Sequence, residues 1–512
     1  MRFKSFWVVF ILLTVAGCST NPVTGKQELN LISEQWELNT GKKQYLPLRQ
    51  SQGGDYVVDP VVEAYVKEVG QRLAAVSDRK LPYEFNVLNS SVPNAWALPG
   101  GKIAINRGLL TELESEAELA AVLGHEIVHA AARHGAQGMQ RGVLLQGVML
   151  GTAIATQGED YANVARLGAG LGAKLVGTKY GRDAETESDN YGMTYMSRAG
   201  YDPQGAVELQ KTFVKMKDGK KANWLEGLFS SHPPSQQRVD NNIKNANGLP
   251  KGGDMGRDKY QKMMARLKKS EPAYENYDKA QKALAKKDTK TARSLIKKAI
   301  RIEPKEGHFY SLLGDIEYKR EHFKTARTQY SKAISLNEEF FYYHLRRGLA
   351  NEKLDNGKQA RVDLERSNQL LPTANAHNAL GDLSRQAGDL SAAKGYYALA
   401  AEQQGDIGKA AFGSLVEMDL PANPQKYIKI KNISDSLGRW FIEVQNPTPR
   451  AIKGVTLMLE YPDKYGETRR VTKRLNVTIE PGASQRLNTR MLINPKLVRR
   501  YQSKIVGAQL AK

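Results

Sequence analysis

The sequence predicts a multidomain chain: a mainly α domain with a small β-sheet, then an α-solenoid, then an all-β sandwich-like domain. Three observations carry this. A helix-period segment around Gly124 holds two histidines four residues apart. Small residues recur at a fixed spacing between Ala280 and Ala400. From Gln425 the texture changes to short alternating runs separated by Pro, Gly and Asn.

The 512 residues suffice for about three domains. A hydrophobic share of 41% with 25% charged residues is ordinary for a globular protein. The net charge of +21 fits an anionic membrane surface or an acidic polymer. The sequence holds no nucleic-acid motif, so no nucleic acid is expected as partner.

The single cysteine, Cys18, excludes an intrachain disulfide. It follows a basic start, Met1 to Lys4, and a short apolar run, Phe6 to Val15, that is too brief to span a bilayer. Val15-Ala16-Gly17-Cys18 looks like a bacterial lipoprotein cleavage site. That likeness implies a signal peptide at 1–17, lipidation of Cys18 and a membrane held through that lipid. Ser19 after the cysteine, rather than Asp, implies the outer membrane, facing the periplasm. Residues 18–27 read as a polar tether.

The predicted first domain covers 28–248. Ser33 to Tyr45 suits a short amphipathic helix. Asp59-Pro60 caps another, with the apolar stripe Val61, Val62, Tyr65, Val66, Val69 and Leu73. Tyr83 to Leu88 alternates as a strand. Asn94 to Ile105 reads as strand, Pro-Gly-Gly turn, strand. Either this is a plain core hairpin, or Asn94, Ala95, Trp96 and Ala97 form an edge strand that pairs with an extended substrate.

His125-Glu126-Ile127-Val128-His129 lies in a helical run, Glu114 to Arg133. Residues four apart share a helix face, so His125 and His129 can hold one zinc ion. Glu126 then stands ready to take a proton from its water. With eight histidines in the chain, about 0.01 such motifs are expected by accident. Val143 to Lys174, rich in Gly and Ala, reads as a helical pair over the site. Glu185 and Asp189 also share a helix face. A zinc with two histidines needs a third protein ligand, and Glu185 is the candidate. Asp189 can accept the free N–H of a ligating histidine or serve as proton donor. The competing reading is a solvated acidic face. His232, on a stiff Ser-His-Pro-Pro loop, can reach the site. His134 misses the spacing of a third histidine ligand and reads as structural.

Together these segments resemble the zinc metallopeptidases of the CAAX prenyl protease type, in their periplasmic lipoprotein branch. The motifs are NPVTG at Asn21, NAWALPGGKI at Asn94, HEIVH at His125, RDAETESD at Arg182 and SHPPSQQR at Ser231. The resemblance implies a zincin (gluzincin) fold, one Zn2+ per chain on His125, His129 and Glu185, and endopeptidase activity. It places His232 near the metal, as oxyanion donor or as a latency switch in the fourth zinc position. It implies unfolded or misassembled envelope proteins as substrates, and the outer-membrane barrel assembly machinery as a partner of the repeats. A periplasmic adaptor or chaperone with a largely latent peptidase is the rival expectation.

Residues 249–268 read as linker and helix, and 269–410 as four repeats. Ala280, Gly314, Gly348 and Gly381 form one column of small residues. Ala292, Ala326, Ala360 and Ala393 form a second, and Ala299, Ala333, Ser367 and Ala400 a third. A period near 34 is the tetratricopeptide signature. Residues 425–512 form a β domain with about 18 Lys/Arg against 6 Asp/Glu, suited to an anionic surface.

Overall fold

The computed structural model describes residues 18–140, 180–217, 232–403 and 405–511. The predicted signal peptide, the helical pair at Val143–Lys174 and Ser231 lie outside them. The chain divides into two compact units, Met1–Phe340 and Phe341–Lys512. This boundary is not the expected one at 249.

In the first unit, the segment expected as a tether is a hairpin instead. Strands β1 (Cys18–Thr20) and β2 (Gln27–Leu29) pair antiparallel. Asn21 closes their turn: its Oδ1 accepts from Val23 N at 3.0 Å, and its Nδ2 donates to Ala132 O at 2.9 Å. A buried side-chain amide with both ends satisfied anchors this segment to the domain.

Helix α1 (Glu34–Ser51) runs further than expected, from a Ser33 cap. Helix α2 (Pro60–Ala75) begins at the Asp59 cap with proline in its first turn. A three-stranded sheet follows, in the order β3 (Glu84–Leu88), β5 (Lys102–Asn106), β4 (Ala95–Leu98). Strand β3 runs parallel to β5, and β4 antiparallel. Gly100 and Gly101, both at φ 79°, make the tight β4–β5 turn that other residues resist. Among the described residues strand β4 is an edge strand.

Helix α3 (Glu116–Ala131) carries both motif histidines. Ser115 caps it by accepting from Glu118 N. The sequence suggests one apolar face, yet every residue of α3 is buried, because α2, the sheet and two later helices surround it. Leu119, Leu123 and Ile127 are fully enclosed, each contributing about 1.5–3 kcal/mol by burial. Helices α4 (Arg182–Arg198), α5 (Gln204–Lys217) and α6 (Gln236–Asn247) complete the domain.

The expected linker is no spacer. Met255 O accepts from Ala117 N at 3.1 Å, and α7 (Arg257–Ala285) sends Tyr260 OH to Leu110 O at 2.7 Å. Helix α8 (Thr289–Ile302) pairs with α7, and α9 (Gly307–Lys319) with α10 (Phe323–Leu336). Buried Glu306 accepts from Asn89 Nδ2 at 2.9 Å and from Tyr274 OH at 2.8 Å. Buried hydrogen bonds across the two parts make the first two helical pairs one body with the peptidase-like domain.

The second unit holds helical pairs α11 (Phe341–Glu352) with α12 (Gly357–Leu370) and α13 (Ala374–Gln386) with α14 (Leu390–Ala401). Helix α15 (Asp406–Asp419), which the sequence reading did not resolve, packs on α14. The small-residue columns sit where helices touch. A Cβ on Gly314, Gly348 or Gly381 would clash with Tyr330, Leu364 or Tyr397, and the alanines of the other columns are fully buried. Two three-stranded antiparallel sheets end the chain. One has the order β10 (Ser484–Leu492), β7 (Arg439–Gln445), β6 (Lys429–Ser434). The other has β11 (Gln502–Leu510), β8 (Ile452–Pro462), β9 (Thr468–Arg474). Their inward residues, among them Trp440, Ile442, Leu457 and Leu459, form one core.

Candidate metal centre

Helices α3 and α4 cross at two glycines. A Cβ on Gly124 would lie 3.1 Å from Gly192 O, and one on Gly192 would lie 3.1 Å from His125 N. A side chain at either position would be tighter than ordinary contact, so glycine eases this approach. It brings the α4 carboxylates against the α3 imidazoles.

His125, His129, Glu185 and His232 each offer one donor atom, and these atoms all lie within 4.8 Å of one another. His129 Nε2 stands 3.0 Å from His125 Nε2 and 3.3 Å from Glu185 Oε1. His232 Nδ1 stands 3.1 Å from Glu185 Oε1 and 3.3 Å from His125 Nε2. All four residues are buried. Burial opposes the charge on Glu185, but His232 and His125 beside it hold its carboxyl well below the usual range. Burial pushes the His129 pKa well below its ordinary value. A neutral His129 imidazole and an ionised Glu185 carboxylate are forms that bind a divalent metal.

The groups behind the donors orient them. Asp189 Oδ1 lies 3.0 Å from His125 Nδ1, which leaves Nε2 toward the cluster. Arg238 Nε and Nη2 donate to Asp189 Oδ2 and Oδ1, both at 2.7 Å. Arg238 Nη1 also lies 3.0 Å from Glu185 Oε2. Burial again opposes ionisation of Asp189, and Arg238 overcomes it. Glu126 is buried beside His232, with Oε1 3.6 Å from His232 Nε2 and with Oε2 lacking a hydrogen-bond partner among the described residues. Burial raises its pKa.

Strand β4 runs along α3, with Ala95 lining the cavity that holds His125 and Glu126 and Ala97 lining one beside His129. Trp96 does not face the site. It packs edge-on against Tyr45 and donates Nε1–H to Gln52. As a side chain it serves the core.

Three participants escaped the sequence reading. Tyr180 stacks on His129, ring centroids 3.9 Å apart. Arg238 lies in the quoted SHPPSQQR motif, but no spacing rule ties it to Asp189. His134 Nδ1 approaches His129 Nδ1 at 2.9 Å, and its Nε2 lies 3.3 Å from Glu187 Oε2. The helix ends at Ala131, and Arg133 takes φ 64°, so the chain turns His134 back toward the motif. Helix-face arithmetic could not anticipate that.

Residues 60–245 match Peptidase family M48. The beta-barrel assembly-enhancing protease of Escherichia coli strain K12 is 30% identical over 208 residues, 36% of this chain and 40% of that protein. The mitochondrial metalloendopeptidase OMA1 of Schizosaccharomyces pombe is 30% identical over 225 residues, 43% of this chain and 63% of that protein. Metalloprotease YcaL of Escherichia coli is 28% identical over 177 residues, 33% of this chain and 67% of that protein. The matched part spans about 40% of the length of the beta-barrel assembly-enhancing proteases. The motifs, the buried donor cluster and these matches agree on one segment: residues 60–245 are similar to peptidase family M48.

Proposed function

We propose that this chain is a zinc endopeptidase held latent by His232. The donor cluster carries the reading. Three imidazoles and one carboxylate, all buried, suit zinc, and Glu126 Oε2, unpartnered among the described residues, suits a proton acceptor beside it. A catalytic zinc takes three protein ligands and keeps one position for water. His125, His129 and Glu185 would hold the ion, and His232 would fill the position water needs.

When bound, zinc acidifies a coordinating water and polarises the scissile carbonyl. Glu126 Oε2 accepts the proton during attack, and the raised pKa suits its return to the leaving amine. Asp189 keeps His125 in its ligating tautomer, held in turn by Arg238. An extended substrate adds to the free edge of β4 through backbone hydrogen bonds along Asn94 to Ala97. Opening requires the Ser-His-Pro-Pro loop to withdraw His232.

The substrates we propose are unfolded or stalled envelope proteins, a reading supported by the assembly role in the names of the relatives. The repeats would hold clients or the barrel assembly machinery. The lipoprotein-like start supports an outer-membrane site facing the periplasm. Among the described residues no helix is long and apolar enough to cross a membrane.

Basal cleavage of an unfolded substrate tests the proposal. His232→Ala should raise it, self-cleavage included. Glu126→Gln should keep one zinc per chain and lower cleavage at least about 100-fold. A His232→Ala enzyme slowed about 100-fold would instead make His232 an oxyanion donor. Unchanged cleavage would reduce it to a loop residue. The four-donor set equally favours an adaptor whose peptidase stays closed. In cells, that reading expects deletion of the repeats to matter and Glu126→Gln not to.

A further inference from the structure

The two C-terminal sheets have one end joined to the repeats and one end free. Helix α15 meets the joined end. Its Val416 belongs to the sheet core, Arg450 Nη2 pairs with Glu417 at 2.6 Å, and Tyr427 OH donates to Asp419 at 3.0 Å. Residues 446–451 and 475–483 lie there, tied by Gly482 N to Asn446 O. Strands β6, β8 and β10 all run away from that end. Their following connections, 435–438, 463–466 and 493–501, therefore gather at the opposite tip. Hydrogen bonds join them: Ile493 N to Gly438 O at 2.8 Å, and Arg500 Nη2 to Gly466 O at 2.6 Å.

This tip has an unusual composition. Leu437 is 69% exposed, Tyr465 77%, Leu492 67% and Val498 53%. Tight turns call for Gly, Asn or Asp, so nothing in the turn geometry demands leucine or tyrosine there. Lys464, Arg490, Arg499 and Arg500 stand exposed around them. Of the nearby acids, Asp435 and Asp463 are engaged within their own turns, and exposed Glu467 lies 3.7 Å from Arg469. Asp435 accepts from the Leu437 and Arg439 amides and pairs with Arg439 at 2.6 Å. Asp463 accepts from the Tyr465 and Glu467 amides and pairs with Arg469 at 2.9 Å. The tip thus presents uncovered apolar side chains inside a ring of positive charge.

We propose that this tip docks on an anionic phospholipid bilayer. Lys and Arg meet the headgroup charge, while Leu437, Leu492 and Val498 enter the interface with Tyr465 at headgroup depth. A soluble polyanion would use the charge alone and leave four large apolar side chains in water. A bilayer surface uses both. The position of α15 supports this, because it leaves the tip as the free end of its domain. The inference is independent of the peptidase reading.

The test uses the chain from Ser19 to Lys512, which removes the expected leader and anchor. It is sedimented with phosphatidylcholine vesicles, with or without phosphatidylglycerol at about one third of the lipid. Binding should require phosphatidylglycerol. Lys464→Gln, Arg490→Gln and Arg499→Gln together should lower partitioning more than about tenfold, since each charge is worth roughly fivefold. Leu437→Ser, Tyr465→Ser, Leu492→Ser and Val498→Ser together should also lower it more than about tenfold and remove the salt-resistant fraction. Both variants should keep wild-type thermal unfolding, because only exposed side chains change. No sedimentation of wild type overturns the proposal. So does loss in the charge variant alone with equal binding to dextran sulfate, which marks a polyanion site. Binding unaffected by either variant overturns it as well.

Discussion

His134 Nδ1 lies 2.9 Å from His129 Nδ1, behind the ring whose Nε2 faces Glu185. The contact occupies Nδ1 of His129 and leaves Nε2 toward Glu185, and Glu187 steadies His134 from its far side. His134→Ala should therefore weaken zinc binding about 10- to 100-fold while the fold survives. Competition with a chromophoric chelator measures this, and an unchanged affinity would remove His134 from the metal centre.

Glu185 and Glu187 divide the work of their segment. Glu185 Oε1 points to His129 and His232, whereas Glu187 meets His134 and Lys26. Glu185→Ala should abolish stoichiometric zinc, and Glu187→Ala should leave it in place with reduced affinity. Zinc analysis of both proteins after gel filtration decides. The reverse pattern would mean that the wrong carboxylate has been assigned.

Glu118, in the first turn of α3, is buried, and burial pushes its carboxyl up to about 7. Its Oε2 accepts from Glu114 N at 2.7 Å. A folded-state pKa above the unfolded one means that the native state binds the proton more tightly. The associated stability is full below about pH 4.5 and is lost as pH rises through 7. The loss is on the order of 3 kcal/mol. Glu118→Gln keeps an acceptor for the amide and removes the titration. The wild-type Tm should fall more between pH 5 and pH 8 than that of Glu118→Gln. Parallel Tm curves would refute the assignment.

Cys18→Ser should leave the protein unprocessed or released from the membrane fraction. Mass spectrometry of the wild-type N-terminus checks the same point. Wild-type protein free in the periplasm without an acyl mass would end the lipoprotein reading.

Much of the fold was legible because it rests on local rules. Asp59-Pro60 and the stripe Val62 to Leu73 specify a helix start and its buried face. The columns at Ala292, Ala326, Ala360 and Ala393 mark helix contacts, since only small residues fit there. The boundary at Phe340 was not legible, because Glu306, Asn89 and Tyr274 meet across long separations in the chain. The N-terminal hairpin was missed for the same reason: its anchor is Asn21 on the carbonyl of Ala132.

By itself the sequence determined the chemistry on offer: two imidazoles and a glutamate at helical spacing, a carboxylate pair one turn apart, and a histidine on a stiff loop. Periodicity and side-chain type are properties of a segment, and they survive without a fold. Tertiary structure alone decided which of these groups meet. The Gly124–Gly192 crossing sets Glu185 against His129. The left-handed Arg133 swings His134 behind the same ring. Arg238 reaches Asp189 because α6 folds back over α4. Metal-ligand geometry depends on distances of a few ångströms between segments remote in sequence, and only packing determines those.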